Sequence, residues 1–455
     1  MILIIVICFA LIVLSEQPAL MFISITSLYF TYSLFWKRYE PNVIFFGLFL
    51  TWLTITIKIF YSDIFGYKYI ELSSSPNIIY TTYLSLIGYC FFAFGLWFAL
   101  KKFTLSNKKL QSLFTDQVNF RRILIVYLVV AVLNALLKGF IFYLPGFSQL
   151  FVGLLQMKLG FLFLLLFYSF KQRKNLLIVF CIILIEIIFS FFSYFSNFKD
   201  IIITAIVIIS LFPNRLSIRE SIISVILGLS FLYSIFIWQS VKGEYRQYLN
   251  AGQYSQQIVV SQEDALIKLQ ELSTGKSKYN KNDIFYETVD RISSLEFFSQ
   301  SIDNVPSKIS YENGSILKSN ILHIVQPRIF FPNKTEIDDS KLVNKYATRK
   351  VSTAKQGTTF SLGFMAESYI DFGPILMFVP IFFTGWLMGF IYKQIIEQSI
   401  NYMWGFTLVS SLWININCNG IAGSKILGWV LMYYIVFLIF RYTLMKLLDR
   451  YIREI

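Results

Sequence analysis

The chain has 455 residues, of which 56% are hydrophobic and 15% charged, and carries a formal net charge of +14. Its mean hydropathy of +0.62 is more apolar side chain than a soluble globule of this size can bury, which excludes a freely water-soluble protein and makes the bilayer the natural solvent for the excess. The class predicted is an all-α polytopic membrane protein. Heavy use of Phe and Tyr, 48 and 28 residues, beside Ile, Asn and Lys matches the composition of an AT-rich bacterial genome. Cys8, Cys90 and Cys181 lie in apolar runs and Cys418 near a helix end, with no metal-ligand spacing among them.

About twenty apolar residues cross the hydrocarbon core as a helix, somewhat fewer where a helix is broken. Twelve runs qualify as predicted spans, near residues 1–15, 18–36, 42–60, 78–100, 122–143, 151–170, 175–195, 200–213, 220–240, 373–392, 402–417 and 424–445. The first lacks a basic leader and a small-residue cleavage site, so it reads as a retained helix. Lys37, Arg38, Lys101, Lys102, Lys108, Lys109, Arg121, Arg122, Lys171, Arg173, Lys174, Arg215, Arg219, Lys393, Lys446, Arg450 and Arg453 then fall on one side, which the positive-inside rule makes cytoplasmic. Both termini are expected inside. The positive charge is accounted for by topology and anionic lipid, so nucleic acid is not required as a partner.

Three parts follow: a membrane bundle of about nine helices in 1–240, an extracytoplasmic loop domain in 241–360, and about three more helices in 361–455. The loop carries 16 basic and 13 acidic side chains and is expected to cap the bundle, since loops of this length are usually functional.

Charges inside a bilayer need a partner or a wet cavity. Lys58 is placed near the outer end of its span, where it can snorkel; Lys158 and Glu186 are spaced to form a structural ion pair or to line a cavity. Lys199 and Arg246 fall at the same outer face, as interfacial anchors or as ligands for an anion. In QPRIFFPNK, Gln326 to Lys334, two prolines brace Arg328 and Lys334, a presentation suited to a diphosphate or to an ordinary surface turn. Glu367 and Asp371, four apart, share a helix face while Tyr369 points away; the carboxylates suit a general base and an orienting group, or a helix cap. His323, the lone histidine, has no identifiable triad partners. Walker A, GxSxG, HExxH and GxGxxG patterns are absent.

The ordered set KGEYR, Arg291 on a helix, NVPSKISYENG, QPRIFFPNK and ESYIDFG resembles the oligosaccharide repeat unit polymerases, the Wzy-like O-antigen and capsule polymerases, over roughly residues 196–392. Asp371 stands where that family more often has Asn, and Lys199 where it often has Arg. The resemblance implies a membrane glycosyltransferase, compatible with a GT-C-like architecture, that joins undecaprenyl-diphosphate-linked repeat units at the outer face of the bacterial cytoplasmic membrane. It implies no cofactor, and the lack of an Asp-x-Asp pair in the loop speaks for metal-independent chemistry. A flippase and a chain-length regulator are the expected partners. On this reading Arg246, Arg291, Arg328 and Lys334 stabilise the departing diphosphate, Lys199 assists, and Glu367 is the base or acceptor-orienting residue. Tyr369 offers a sugar platform, with Asp371 beside it. A lipid-linked oligosaccharide flippase and an O-antigen ligase-type transferase are the rival readings.

Overall fold

The computed structural model describes residues 2–37, 40–106, 113, 116–140, 147–191, 198–212, 238, 241, 244–245, 247–250, 259–274, 281–326, 331, 334, 338–353, 359–413 and 418–453. Among these residues the protein is helical throughout, without a strand. The N-terminal helices are α1 (Ile2–Leu14), α2 (Pro18–Phe35), α3 (Val43–Phe65), α4 (Ile78–Leu100), α5 (Phe120–Phe140), α6 (Ser148–Gln172), α7 (Leu176–Phe191) and α8 (Phe198–Leu211). Five shorter helices follow: α9 (Gln262–Thr274), α10 (Lys281–Ile292), α11 (Glu296–Asn304), α12 (Ser315–Val325) and α13 (Asp339–Tyr346). The chain then forms α14 (Phe364–Leu376), α15 (Phe378–Gln398), α16 (Tyr402–Trp413), α17 (Gly423–Thr443) and α18 (Met445–Arg453).

Seven helices among the described residues are long and apolar enough to cross a membrane: α2, α3, α4, α15, α17, and the greater part of α5 and α6. The runs expected at 1–15, 175–195, 200–213 and 402–417 do form helices, but α1, α7, α8 and α16 have 13, 16, 14 and 12 residues, less than a full bilayer crossing requires. The run at 220–240 lies outside the described residues except for Trp238. The run at 373–392 divides: α14 holds a non-helical Gly373 (φ 73, ψ −177) followed by Pro374, and the apolar span proper is α15.

Without a hydrophobic drive between helices in lipid, close backbone approach stabilises their packing, and small residues permit it. The tightest pair is α4 and α15. A Cβ on Gly385 would stand 2.2 Å from Phe92 O, one on Gly389 2.7 Å from Leu96 O, and one on Gly95 2.1 Å from Phe382 O. Gly385 and Gly389 form a GxxxG step, and the two backbones touch along it. The cross-bundle bonds Trp52 Nε1 to Ser24 O (2.8 Å) and Tyr89 O–H to Thr31 Oγ1 (2.9 Å) satisfy polar groups that lipid could not.

The basic connecting segments converge on one end. Ser106 N–H donates to the Tyr402 hydroxyl at 3.1 Å, Arg453 pairs with Asp116 at 2.8 Å, Arg122 donates to Tyr451 O at 2.8 Å, and Lys171 donates to Asp116 O. Lys37 and Lys101 border one cleft there. At the other end lie α10 to α14. Their buried residues, among them Val289, Leu295, Phe298, Ile316, Val343 and Tyr346, belong to the same apolar cluster as the membrane helices. Trp238, Tyr245, Leu249 and Ala265 make a second, smaller cluster.

Candidate functional site

A cavity of about 1490 Å³ opens between the membrane helices and the polar segment at this end. Its inner wall is Leu155, Lys158, Leu159 and Leu162 of α6 with Glu186 and Phe189 of α7; its outer rim is Glu287, Asp290 and Arg291 of α10, Glu296 of α11, Arg349, Lys350 and the N-terminal part of α17.

The inner charges are paired. Lys158 Nζ lies 2.6 Å from Glu186 Oε2, and Tyr127 donates its hydroxyl proton to Glu186 Oε1 at 2.5 Å. A charge at membrane depth is costly alone, so this pair and its hydroxyl make the polar inner wall tolerable.

The rim is held by Lys58, which does not snorkel. Its side chain is 0% exposed, and Nζ meets Asp290 Oδ1 at 2.6 Å, Glu296 Oε2 at 3.4 Å and Leu72 O at 2.7 Å. The physical reason is counter-charge: two carboxylates from the polar segment reach down to the ammonium, so it need not reach up to water. Glu296 also accepts from Ser73 Oγ, Ser74 N, Ser74 Oγ and Gln300 Nε2. Burial by itself would raise its pKa, yet Lys58 and these donors outweigh burial and hold the carboxyl below its usual range. Asp303 adds a second tie, accepting from Ser75 Oγ at 2.8 Å and Asn77 Nδ2 at 2.7 Å. Arg291, next to Asp290, is thereby placed on the cavity.

Arg349 and Lys350, both exposed to the cavity, were not singled out by sequence reasoning. Their strap is fixed by Gln300, which accepts from Arg349 N at 3.1 Å, and by Asn344, which bonds both Val351 N and Val351 O. Lys425, also on the rim, pairs with the buried Asp339 at 2.5 Å. Only their charge in an ordinary polar stretch could have marked them.

Four of the sequence-predicted residues gather elsewhere, around α12. Asp371 accepts from Ile316 N at 3.0 Å and Leu317 N at 2.7 Å, which is the cap reading of that carboxylate. Lys334 donates to His323 O and, at 2.7 Å, to Gln326 O, closing the other end of the helix. Glu367 Oε2 accepts from Asn320 Nδ2 and from Gly423 N, each at 3.0 Å. It is 3% exposed and stands behind the cavity wall formed by Gly420, Ile421 and Lys425. Burial pushes its pKa up to about 8; the Gly423 N–H opposes this, and nearby Asp339 and Asp371 add to it. Burial thus favours the neutral form of Glu367, and its side chain is not part of the cavity lining. Tyr369 is enclosed, its ring against Phe298 and Tyr311 and its hydroxyl donating to Val305 O at 3.1 Å; it presents no face to the cavity.

Two glycines shape α14, one at its N-cap and one inside it. Gly363 has φ +90, with Asn419 O occupying the place of a Cβ, and Gly373 has φ +73 against the Tyr311 ring. Of the remaining predicted residues, Arg246 and Arg328 lie outside the described residues, and Lys199 sits in the first turn of α8 with its side chain outside them. Among the described residues no three His, Cys, Asp or Glu side chains group as ligands for a metal ion.

Residues 36–448 match a family described as a domain of unknown function, DUF8712, and the chain belongs to that family. No curated protein and no solved structure matches it.

Proposed function

We propose that this protein is a membrane glycosyltransferase that polymerises undecaprenyl-diphosphate-linked oligosaccharide repeat units into a surface polysaccharide, at the outer face of a bacterial cytoplasmic membrane. The observation that carries the reading is the cavity. It joins a membrane-embedded wall to a charged rim on which Arg291, Arg349, Lys350 and Lys425 stand beside Glu287, Asp290 and Glu296, and its volume exceeds the few hundred to 1,000 Å³ or so of ordinary small-molecule sites. Two lipid-linked glycans, each with an apolar tail and a charged diphosphate, need such a site. The ordered motifs described above add the polymerase resemblance.

In the reaction an acceptor hydroxyl attacks the anomeric carbon of the donor, the bond from that carbon to the diphosphate oxygen breaks, negative charge grows on the departing diphosphate, and the hydroxyl proton passes to that diphosphate. Arg291, Arg349, Lys350 and Lys425 are assigned to that charge, because preorganised cations in a water-poor site stabilise a transition state strongly. Glu367, Asp371, Lys334 and Tyr369 are assigned to holding α12 and α14 behind the site. Arg246, Arg328 and Lys199 remain assigned to the diphosphate on the resemblance alone.

The test is purified protein in liposomes supplied with undecaprenyl-diphosphate repeat units, read as a glycan ladder. The expected outcome is a ladder, reduced about 10²-fold in rate by Arg349→Ala. Movement of the intact unit across the bilayer without a ladder would instead identify a transporter, and transfer of preformed long chains to another acceptor a ligase.

A further inference from the structure

Helix α12 belongs by sequence to the polar segment, yet it packs along a membrane-spanning helix. Asn320 and Gly423 both bond Glu367 Oε2, and a Cβ on Gly428 would stand 3.7 Å from Ile324 Cγ1. The steps from 320 to 324 and from 423 to 428 run together, so α12 follows α17 toward the Arg441 end. Gly428 and Arg441 are thirteen residues apart on α17, about 20 Å of helix. The hydrocarbon core is about 30 Å thick. With Arg441 at one interface, Gly428 and Ile324 beside it stand about 10 Å inside the opposite one, and deeper still if α17 is tilted.

The exposed surface of α12 changes along its axis in the way this depth demands. Its first exposed residues are polar, Ser315, Lys318 and Ser319. The later ones are apolar: Ile321, Leu322 and Val325 are 46%, 47% and 68% exposed. Helix ends at such depth must have their backbone groups satisfied. Asp371 accepts from the N–H groups at one end and Lys334 donates to the carbonyls at the other.

We propose that α12 is a re-entrant helix embedded in the leaflet opposite Arg441, with Ile321, Leu322 and Val325 in contact with phospholipid acyl chains. The inference does not depend on the reaction catalysed. It places part of the 241–360 segment within the bilayer rather than above it, on a surface continuous with α17.

The test uses the full chain in vesicles of phosphatidylethanolamine and phosphatidylglycerol doped with a phospholipid carrying an acyl-chain diazirine. After irradiation, adducts are mapped by peptide mass spectrometry. Adducts on residues 321–325 and none on 315–319 are expected, with the exposed Ile435 and Ile439 of α17 as the internal positive control. Adducts on α17 but none on α12 overturn the proposal. A second measurement labels Lys318→Cys and Leu322→Cys with a membrane-impermeant maleimide. Reaction at 318 and protection at 322 are expected. Equal reaction at both means water covers the face, and protection at 322 without a lipid adduct means another protein does; either result overturns the proposal.

Discussion

Lys58 is enclosed by protein, and its ammonium is matched by two carboxylates more than 230 residues further along the chain. Removing one partner from a buried pair leaves the others uncompensated, which costs about 3–5 kcal/mol when burial is complete. Asp290 and Glu296 keep side-chain exposures of 29% and 14%, so Lys58→Ala is expected to cost about 3 kcal/mol, the low end of that range. The midpoint of thermal unfolding in nanodiscs reads this, and the Lys58→Met, Glu296→Gln double variant is expected to recover part of the loss. An unchanged midpoint for Lys58→Ala would show that the pair does not hold the rim. Glu367 makes the second prediction at this scale. Its pKa near 8 in the folded protein lies above the ordinary 4.5. Below 4.5 both folded and unfolded chains are protonated; between 4.5 and 8 the unfolded chain has lost the proton that the folded chain keeps. The stability linked to this proton is therefore complete at low pH and is lost as pH rises through that window. The effect is roughly 5 kcal/mol at most, at about 1.4 kcal/mol per pH unit. Glu367→Gln is expected to flatten the fall in unfolding midpoint between pH 5 and 8.5 and to keep most polymer synthesis at pH 7. Complete loss of synthesis in a folded Gln variant would restore the base role.

At the level of elements, the contact between α4 and α15 is the most exacting, because carbonyl oxygens of one helix occupy the space where side chains of the other would begin. Gly385→Val has no rotamer that avoids Phe92 O, so the helices must separate; the expected loss is about 3 kcal/mol, the upper end of ordinary overpacking. Gly428→Ala meets only the end of Ile324 at 3.7 Å and is expected to leave the midpoint unchanged, which makes it the control in the same unfolding assay. The helices themselves were legible in the sequence, since an apolar run of known length needs no partner to be recognised. The cap made by Asp371 was legible as an alternative for the same local reason. Lys58 was not, because its counter-charges are distant in sequence. Arg349 and Lys350 were not, because only folding brings that strap to the cavity. Glu367 was found by its spacing from Asp371, but its burial behind Gly420 and Ile421, which decides its protonation, is a property of packing and carries no sequence signal.

Over the whole molecule, the segments that carry Lys37, Lys101, Lys171 and Arg453 meet at one end of the bundle, and the cavity with α10 to α14 lies at the other. Cytoplasmic loops retain Lys and Arg because positive charge resists translocation. The cavity end is therefore expected to face outward, which is the side that the proposed polymerisation requires. Single cysteines at Lys308 and Lys174, in intact cells and in cells opened by sonication, separate the two orientations when probed with an impermeant maleimide. Lys308→Cys is expected to react in intact cells and Lys174→Cys only after opening. The reverse pattern would place the cavity rim in the cytoplasm and would exclude an extracytoplasmic polymerase, whatever the cavity binds.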